Sequence, residues 1–158
     1  MSYECRLEQV EPQSTLSIRG RSSVADLPRT FGEYMQEVWT HLQKLGQRPA
    51  GPPYSRYHSL DDLEAIDLEV GFTVAPGTPG AGRVQVGTLP GGEVVATDHY
   101  GPYEQLPKAG EALDQWLAAK GRRAAGPNWE YYWTDPGAES DTTKWHTEVV
   151  KPLVPKGA

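Results

Sequence analysis

Cysteine is nearly missing from this chain: Cys5 is the only one in 158 residues. A lone thiol excludes an internal disulfide and a zinc site of the multi-cysteine kind. Long apolar runs are missing too. Nowhere do roughly eighteen apolar residues follow one another, and the opening Met1-Ser-Tyr-Glu-Cys-Arg6 has no stretch of the signal-peptide kind. A cytoplasmic protein is therefore expected, neither secreted nor membrane-bound. Basic residues are outnumbered, with 15 Lys and Arg against 21 Asp and Glu, for a formal charge of -6. An isoelectric point near 5.2 fits no general binder of phosphate backbones, which needs clustered cations. Direct nucleic-acid binding is not expected, and a cationic partner suits the charge.

Several signatures of catalysis are also absent. His41, His58, His99 and His146 are dispersed without metal-ligand spacing, so no metal is expected. Gly80-Ala-Gly82 lacks the third glycine and the strand-to-helix setting of a dinucleotide loop. There is no Gly-x-Ser-x-Gly elbow and no Walker pattern, and Cys5 has no evident base. No cofactor is expected.

What is present is a repeat. Gly46-Gln-Arg-Pro-Ala-Gly-Pro-Pro-Tyr-Ser-Arg-Tyr57 matches Gly121-Arg-Arg-Ala-Ala-Gly-Pro-Asn-Trp-Glu-Tyr-Tyr132 at six of twelve positions without a gap. Each copy follows a helical pattern and precedes a strand containing Glu-Val, Asp67–Val70 in the first and His146–Val149 in the second. The first helix reads Leu27, Phe31, Tyr34, Met35, Val38, Leu42, Leu45, starting near Pro28 and stopping at Gly46. The second reads Leu106, Ala109, Leu113, Trp116, Leu117, starting near Pro107 and stopping at Gly121. Strands are expected at 4–10, 15–19, 54–58, 66–74, 84–89, 93–99, 129–133 and 144–150, from β-branched and aromatic enrichment between Gly and Pro. The fold class is α+β: duplicated βαββ units with a lead strand each and pseudo-twofold symmetry. All of 1–158 is read as one domain, with repeat one about 3–76, repeat two about 83–154, and Ala75–Arg83 as the connection.

Five Trp and eight Tyr against two Phe favour rings with a polar edge, suited to the wall of a wet pocket as well as to a core. The densest run is Trp129-Glu-Tyr-Tyr-Trp133, a carboxylate among four rings. On a strand, Glu130 and Tyr132 share one face, and Trp129, Tyr131 and Trp133 the other. Ser55 holds the place of Glu130 in the first copy, so the shared fold does not demand that acid. Tyr57 and Tyr132 match, and a groove between the copies would let them face each other. Burying an unpaired carboxylate is unfavourable by several kcal/mol and raises its pKa, and a cation over ring faces would compensate it. Glu148 is placed beside Glu130 as a second carboxylate, although Glu69 occupies its position in the first copy, which is what a structural acid would do.

Leu89-Pro-Gly-Gly-Glu-Val-Val-Ala-Thr-Asp-His-Tyr-Gly-Pro-Tyr103, a helix with Trp116, then Trp129-Glu-Tyr-Tyr, Asp135-Pro136, and Thr147-Glu-Val with Pro152 together resemble the GyrI-like small-molecule-binding domain. That domain is also the effector-binding part of AraC-type and MerR-type multidrug-responsive regulators. The resemblance runs from Tyr3 to Leu153. It implies a duplicated βαββ fold with a curved antiparallel sheet, and a groove for lipophilic or cationic aromatic compounds. It places a charge-neutralising acid at Glu130 and the acid of the following strand at Glu148. Since the chain begins at its first strand, with no helix-turn-helix ahead of it, DNA contact is not expected, and a homodimer is allowed.

The function expected is binding of such a compound, in xenobiotic sensing or sequestration, with Glu130 and Glu148 as counter-charges and Tyr132, Tyr57, Trp39 and Tyr103 as walls. A non-enzymatic protein is expected first. Two alternatives come from the same resemblance. One is a hydrolase of cyclopropane-bearing DNA alkylators, in which Glu130, helped by Tyr132, is the catalytic pair. The other is a protein-interaction role such as gyrase inhibition.

Overall fold

The computed structural model describes residues 3–157. In chain order it contains β1 (Arg6–Val10), β2 (Gln13–Ser22), α1 (Leu27–Lys44), β3 (Pro53–Ser59), β4 (Ile66–Thr73), β5 (Gln85–Leu89), β6 (Gly92–Tyr100), α2 (Leu106–Lys120), β7 (Trp129–Tyr132) and β8 (His146–Pro152). All the pairings among these strands described below are antiparallel, so the α+β class read from the sequence is the class observed. Both helices lie where their apolar spacing put them. α2 ends on Gly121, whose φ of 62° is the left-handed turn that glycine accepts without strain. No helix is long and apolar enough to cross a membrane.

The chain forms two compact units, one of Pro12–Pro90 and the other of Met1–Glu11 with Gly91–Ala158. In the first, the strand order is β3-β4-β2-β5; in the second it is β1-β6-β8-β7. The lead strands are thereby exchanged relative to the sequence halves. β1 pairs with β6, Leu7 opposite Val95, and β5 pairs with β2, Val86 opposite Leu16. The boundaries fall at Glu11/Pro12 and Pro90/Gly91. Ala75–Arg83 lies inside the first unit, held by Thr78 Oγ1 donating to Gln47 Oε1 at 2.9 Å and by a 2.8 Å hydrogen bond between His41 Nε2 and the Pro79 carbonyl.

In the Pro12–Pro90 unit, Tyr34, Val38 and Leu42 of α1 bury against Leu16 and Ile18 of β2 and Leu68, Val70 and Phe72 of β4. In the other unit, Ala109 and Leu113 of α2 bury against Val95, Val149 and Leu153. Each fully buried Val or Leu of these contacts contributes about 1.5–3 kcal/mol. Two helix positions are left open: a Cβ at Gly32 of α1 or Gly110 of α2 would meet nothing within 4 Å. Alanine at both is expected to stabilise by about 0.5–1 kcal/mol each, through lower unfolded-chain entropy and better helix propensity. A melting curve of Gly32→Ala/Gly110→Ala checks it, and an unchanged or lower midpoint refutes it.

Candidate functional site

β7 and β8 fix the site through their register. Glu130 pairs with Val149 and Tyr132 with Thr147, whereas Trp129 pairs with Val150 and Tyr131 with Glu148. Val149 packs on Ala109 and Leu113, so Glu130 and Tyr132 lie on the α2 side of the strands. Trp129, 2% exposed, lies on the other side with Tyr131. The alternation read from Trp129-Glu-Tyr-Tyr-Trp133 is thus the alternation of the strand.

Beside Glu130 begins a row of three rings, Tyr132, Tyr103 and Trp145. The Tyr132 hydroxyl donates to Glu130 Oε2 at 2.8 Å. The Tyr103 ring meets Tyr132 edge-on at 5.8 Å between centroids, and Trp145 lies 4.9 Å from Tyr103 at a 36° tilt. Tyr103 opens a 3-10 turn just before α2. Its approach is fixed by Gly101 N–H donating to the Trp145 carbonyl at 2.9 Å, which ties this turn to the segment leading into β8. Buried His99 braces the same turn, with Nε2 3.1 Å from the Pro102 carbonyl and Nδ1 2.9 Å from the Tyr3 hydroxyl. Trp145 is held by its indole N–H donating to the Glu139 carbonyl at 2.8 Å.

The electrostatics of the cluster are those of an uncompensated acid. Burial pushes the Glu130 carboxyl above its ordinary pKa, and the Tyr132 hydroxyl pulls it partly back. Among the described residues no Lys or Arg stands against Glu130. Tyr103 is pushed up as well, by burial and then by the negative charges of Asp135 and Glu130. Beside Tyr132, the Thr147 hydroxyl is fully buried and has no hydrogen-bond partner among the described residues. A ligand reaching this face would find one acid, three rings and one hydroxyl.

Of the residues singled out in the sequence, Glu130, Tyr132 and Tyr103 come together. Glu148 is on the opposite face, where it accepts from Arg6 Nη2 at 3.0 Å and from the Trp133 indole N–H at 3.1 Å. It does not sit beside Glu130, because the register pairs Glu148 with Tyr131 and Glu130 with Val149, and successive residues of a strand face apart. Its counterpart Glu69 is also engaged, by different partners, the Tyr54 hydroxyl and His58 Nε2 at 2.8 Å. That shared engagement explains why both copies keep the acid. Tyr57 packs on the α1 core, and Trp39, partly exposed, lies 5.9 Å from Phe72; both belong to the Pro12–Pro90 unit. Ser55, in the place of Glu130, is fully buried. Trp145 and Thr147 escaped the sequence reading. Trp145 is outside the repeated twelve residues, and only the fold-back of the Tyr103 turn brings it in.

The family described as GyrI-like small molecule binding domain matches residues 3–154. The structure is similar to EcmrR in a complex with DNA, at TM-score 0.84 and 21% identity over 97% of this chain and 58% of that one. The C-terminal domain of EcmrR alone gives 0.81 and 20% over 98% and 99%. A hydrolase from Listeria innocua gives 0.70 at 15% identity over 97% and 93%. SAV2435 bound to tetraphenylphosphonium gives 0.59 at 13% over 98% and 94%. Among curated proteins, cellulose synthase operon protein C of Komagataeibacter xylinus is 25% identical over 109 residues, 56% of this chain and 8% of that protein.

Proposed function

The chain belongs to the GyrI-like small-molecule-binding domain family, and within it we propose that this protein holds an aromatic or lipophilic cation against Glu130, walled by Tyr103, Tyr132 and Trp145, to sense or sequester it. The observation that carries this reading is a carboxylate held among rings with a tyrosine hydroxyl for partner and no cation of its own. A positive ligand supplies the missing charge, and each ring face under it adds about 0.5–2 kcal/mol. That SAV2435 is bound to tetraphenylphosphonium makes this compound a suitable probe.

Titration with tetraphenylphosphonium is expected to quench tryptophan fluorescence saturably, through Trp145. The cation binds the ionised acid, so affinity should rise with pH through the raised pKa of Glu130 and level off above it. Neutral triphenylphosphine oxide should bind at least tenfold more weakly. Equal affinity for the two, or affinity independent of pH, sinks the reading.

A hydrolase is the second reading. A carboxyl of raised pKa beside a tyrosine hydroxyl has the make-up of a general base with a helper, and a hydrolase stands among the structural neighbours. Incubation with a cyclopropane-bearing alkylator separates the two: a hydrated product formed over many turnovers favours the hydrolase, and saturable binding without product retires it.

A further inference from the structure

The other end of α2 carries a second concavity with the opposite character. A pocket of about 360 Å³ is lined by Cys5, Leu7, Trp116, Lys120, Arg122 and Lys156. Its wall is apolar. Leu7 pairs with Val95 and therefore points to the α2 side of edge strand β1, where it remains 51% exposed with no further strand to cover it. Trp116 packs on the core from α2, and Cys5 joins the same apolar surface. The Cys5 thiol donates to the Ala112 carbonyl at 3.7 Å, and burial raises its pKa, so it offers the pocket an uncharged wall.

The rim is cationic in a chain whose net charge is -6. Arg122 is fixed, its side chain 10% exposed, by Glu93 Oε1 at 2.8 Å and the Val154 carbonyl at 3.3 Å. Lys120 and Lys156 are exposed and have no carboxylate partner among the described residues. Two ammonium groups without counter-charges, above a wall of Trp, Leu and Cys, match an anion that carries an apolar body. A cation would meet the two unpaired ammonium groups. The volume is at the low end of small-molecule sites, which suits one compact ligand and not a protein segment.

We infer that this pocket binds a small amphiphilic anion, a carboxylate with an aliphatic or aromatic body, whose head lies between Lys120 and Lys156 and whose body lies on Leu7, Trp116 and Cys5. The site is separate from that of Glu130. Tyr103 lies before the first turn of α2 and Lys120 in its last, and a helix of 15 residues is about 22 Å long. The inference does not depend on the cation-binding reading.

Decanoate is the probe and decanol its uncharged control. Calorimetry should show decanoate binding with an affinity that falls as salt screens the lysines. Decanol should bind at least tenfold more weakly. Lys120→Gln/Lys156→Gln should weaken decanoate at least tenfold and leave tetraphenylphosphonium titration unchanged, and both changes are on exposed side chains that the fold does not need. Location is read from the single thiol: bound decanoate should slow alkylation of Cys5 by iodoacetamide several-fold. Equal binding of decanol, or decanoate binding unaltered in the double variant, overturns the inference. So does an alkylation rate that saturating decanoate leaves unchanged; if Cys5 proves unreactive even without ligand, the calorimetric comparison decides alone.

Discussion

Glu130→Gln is expected to weaken tetraphenylphosphonium binding at least tenfold, which is about 1.4 kcal/mol. Glutamine keeps the length and shape of the side chain and can still accept from the Tyr132 hydroxyl now 2.8 Å from the carboxylate. What it removes is charge alone. The rings of Tyr103, Tyr132 and Trp145 remain, so residual binding through ring faces and apolar contact should persist, and neutral ligands should be unaffected. An unchanged dissociation constant would take Glu130 out of the site.

The same substitution should reverse sign when stability is measured instead of binding. Glu130 has a folded pKa above its unfolded one. Between the two, the folded chain holds the proton more tightly, so stability present at low pH is lost as pH rises from the ordinary carboxyl range through the raised value. Glutamine cannot ionise and escapes this loss. Ligand-free Glu130→Gln should therefore melt higher than the wild type at neutral pH, and the gap should close as pH falls below the ordinary range. Weaker binding joined to greater stability is the pattern of a residue kept for its ligand; weaker binding joined to lower stability would mark a structural acid.

How much of this was legible without coordinates depends on whether the determinant is local. Periodicity located both helices, and the strand alternation of Trp129-Glu-Tyr-Tyr put Glu130 and Tyr132 on one face, because each is set by neighbours a few residues apart. The repeat showed that Glu130 is unshared and that Glu148 is shared with Glu69. That second fact already favoured the structural role seen in the contacts of Glu148 with Arg6 and Trp133. Pairing of β1 with β6 joins residues some ninety positions apart, as Arg6 with Ala96, and nothing in either segment names its partner. Trp145 was missed for a like reason. It reaches Tyr103 across forty-two positions through a turn whose course depends on a backbone hydrogen bond from Gly101.

Gly71→Ala is expected to be the most damaging of the single-methyl additions. A Cβ at that position would lie 2.0 Å from the Leu16 carbonyl oxygen, 2.7 Å from Ser17 Cα and 2.8 Å from Ser17 Cβ. Two of these atoms are backbone, so no rotamer change makes room. Nor can β4 withdraw, because Gly71 is paired with Ser17 of β2 on one side and Tyr54 of β3 on the other, and moving from one breaks register with the other. Overpacking of this kind in a core commonly destabilises by about 1–3 kcal/mol, and backbone contact puts this case at or above the upper figure. For a chain of this length that is a fall in melting midpoint of roughly 10 °C. The repeat shows that the requirement is local: Val150 follows Glu148-Val149 where Gly71 follows Glu69-Val70, and Val150 sits buried between Ala96 and Trp129 without such a clash. The glycine therefore answers to how closely β2 crosses β4 at Ser17, and not to the unit that both halves share. A melting midpoint for Gly71→Ala within 2 °C of the wild type, a margin of about 1 kcal/mol at this size, would show that the two strands can part and that this close approach is not fixed.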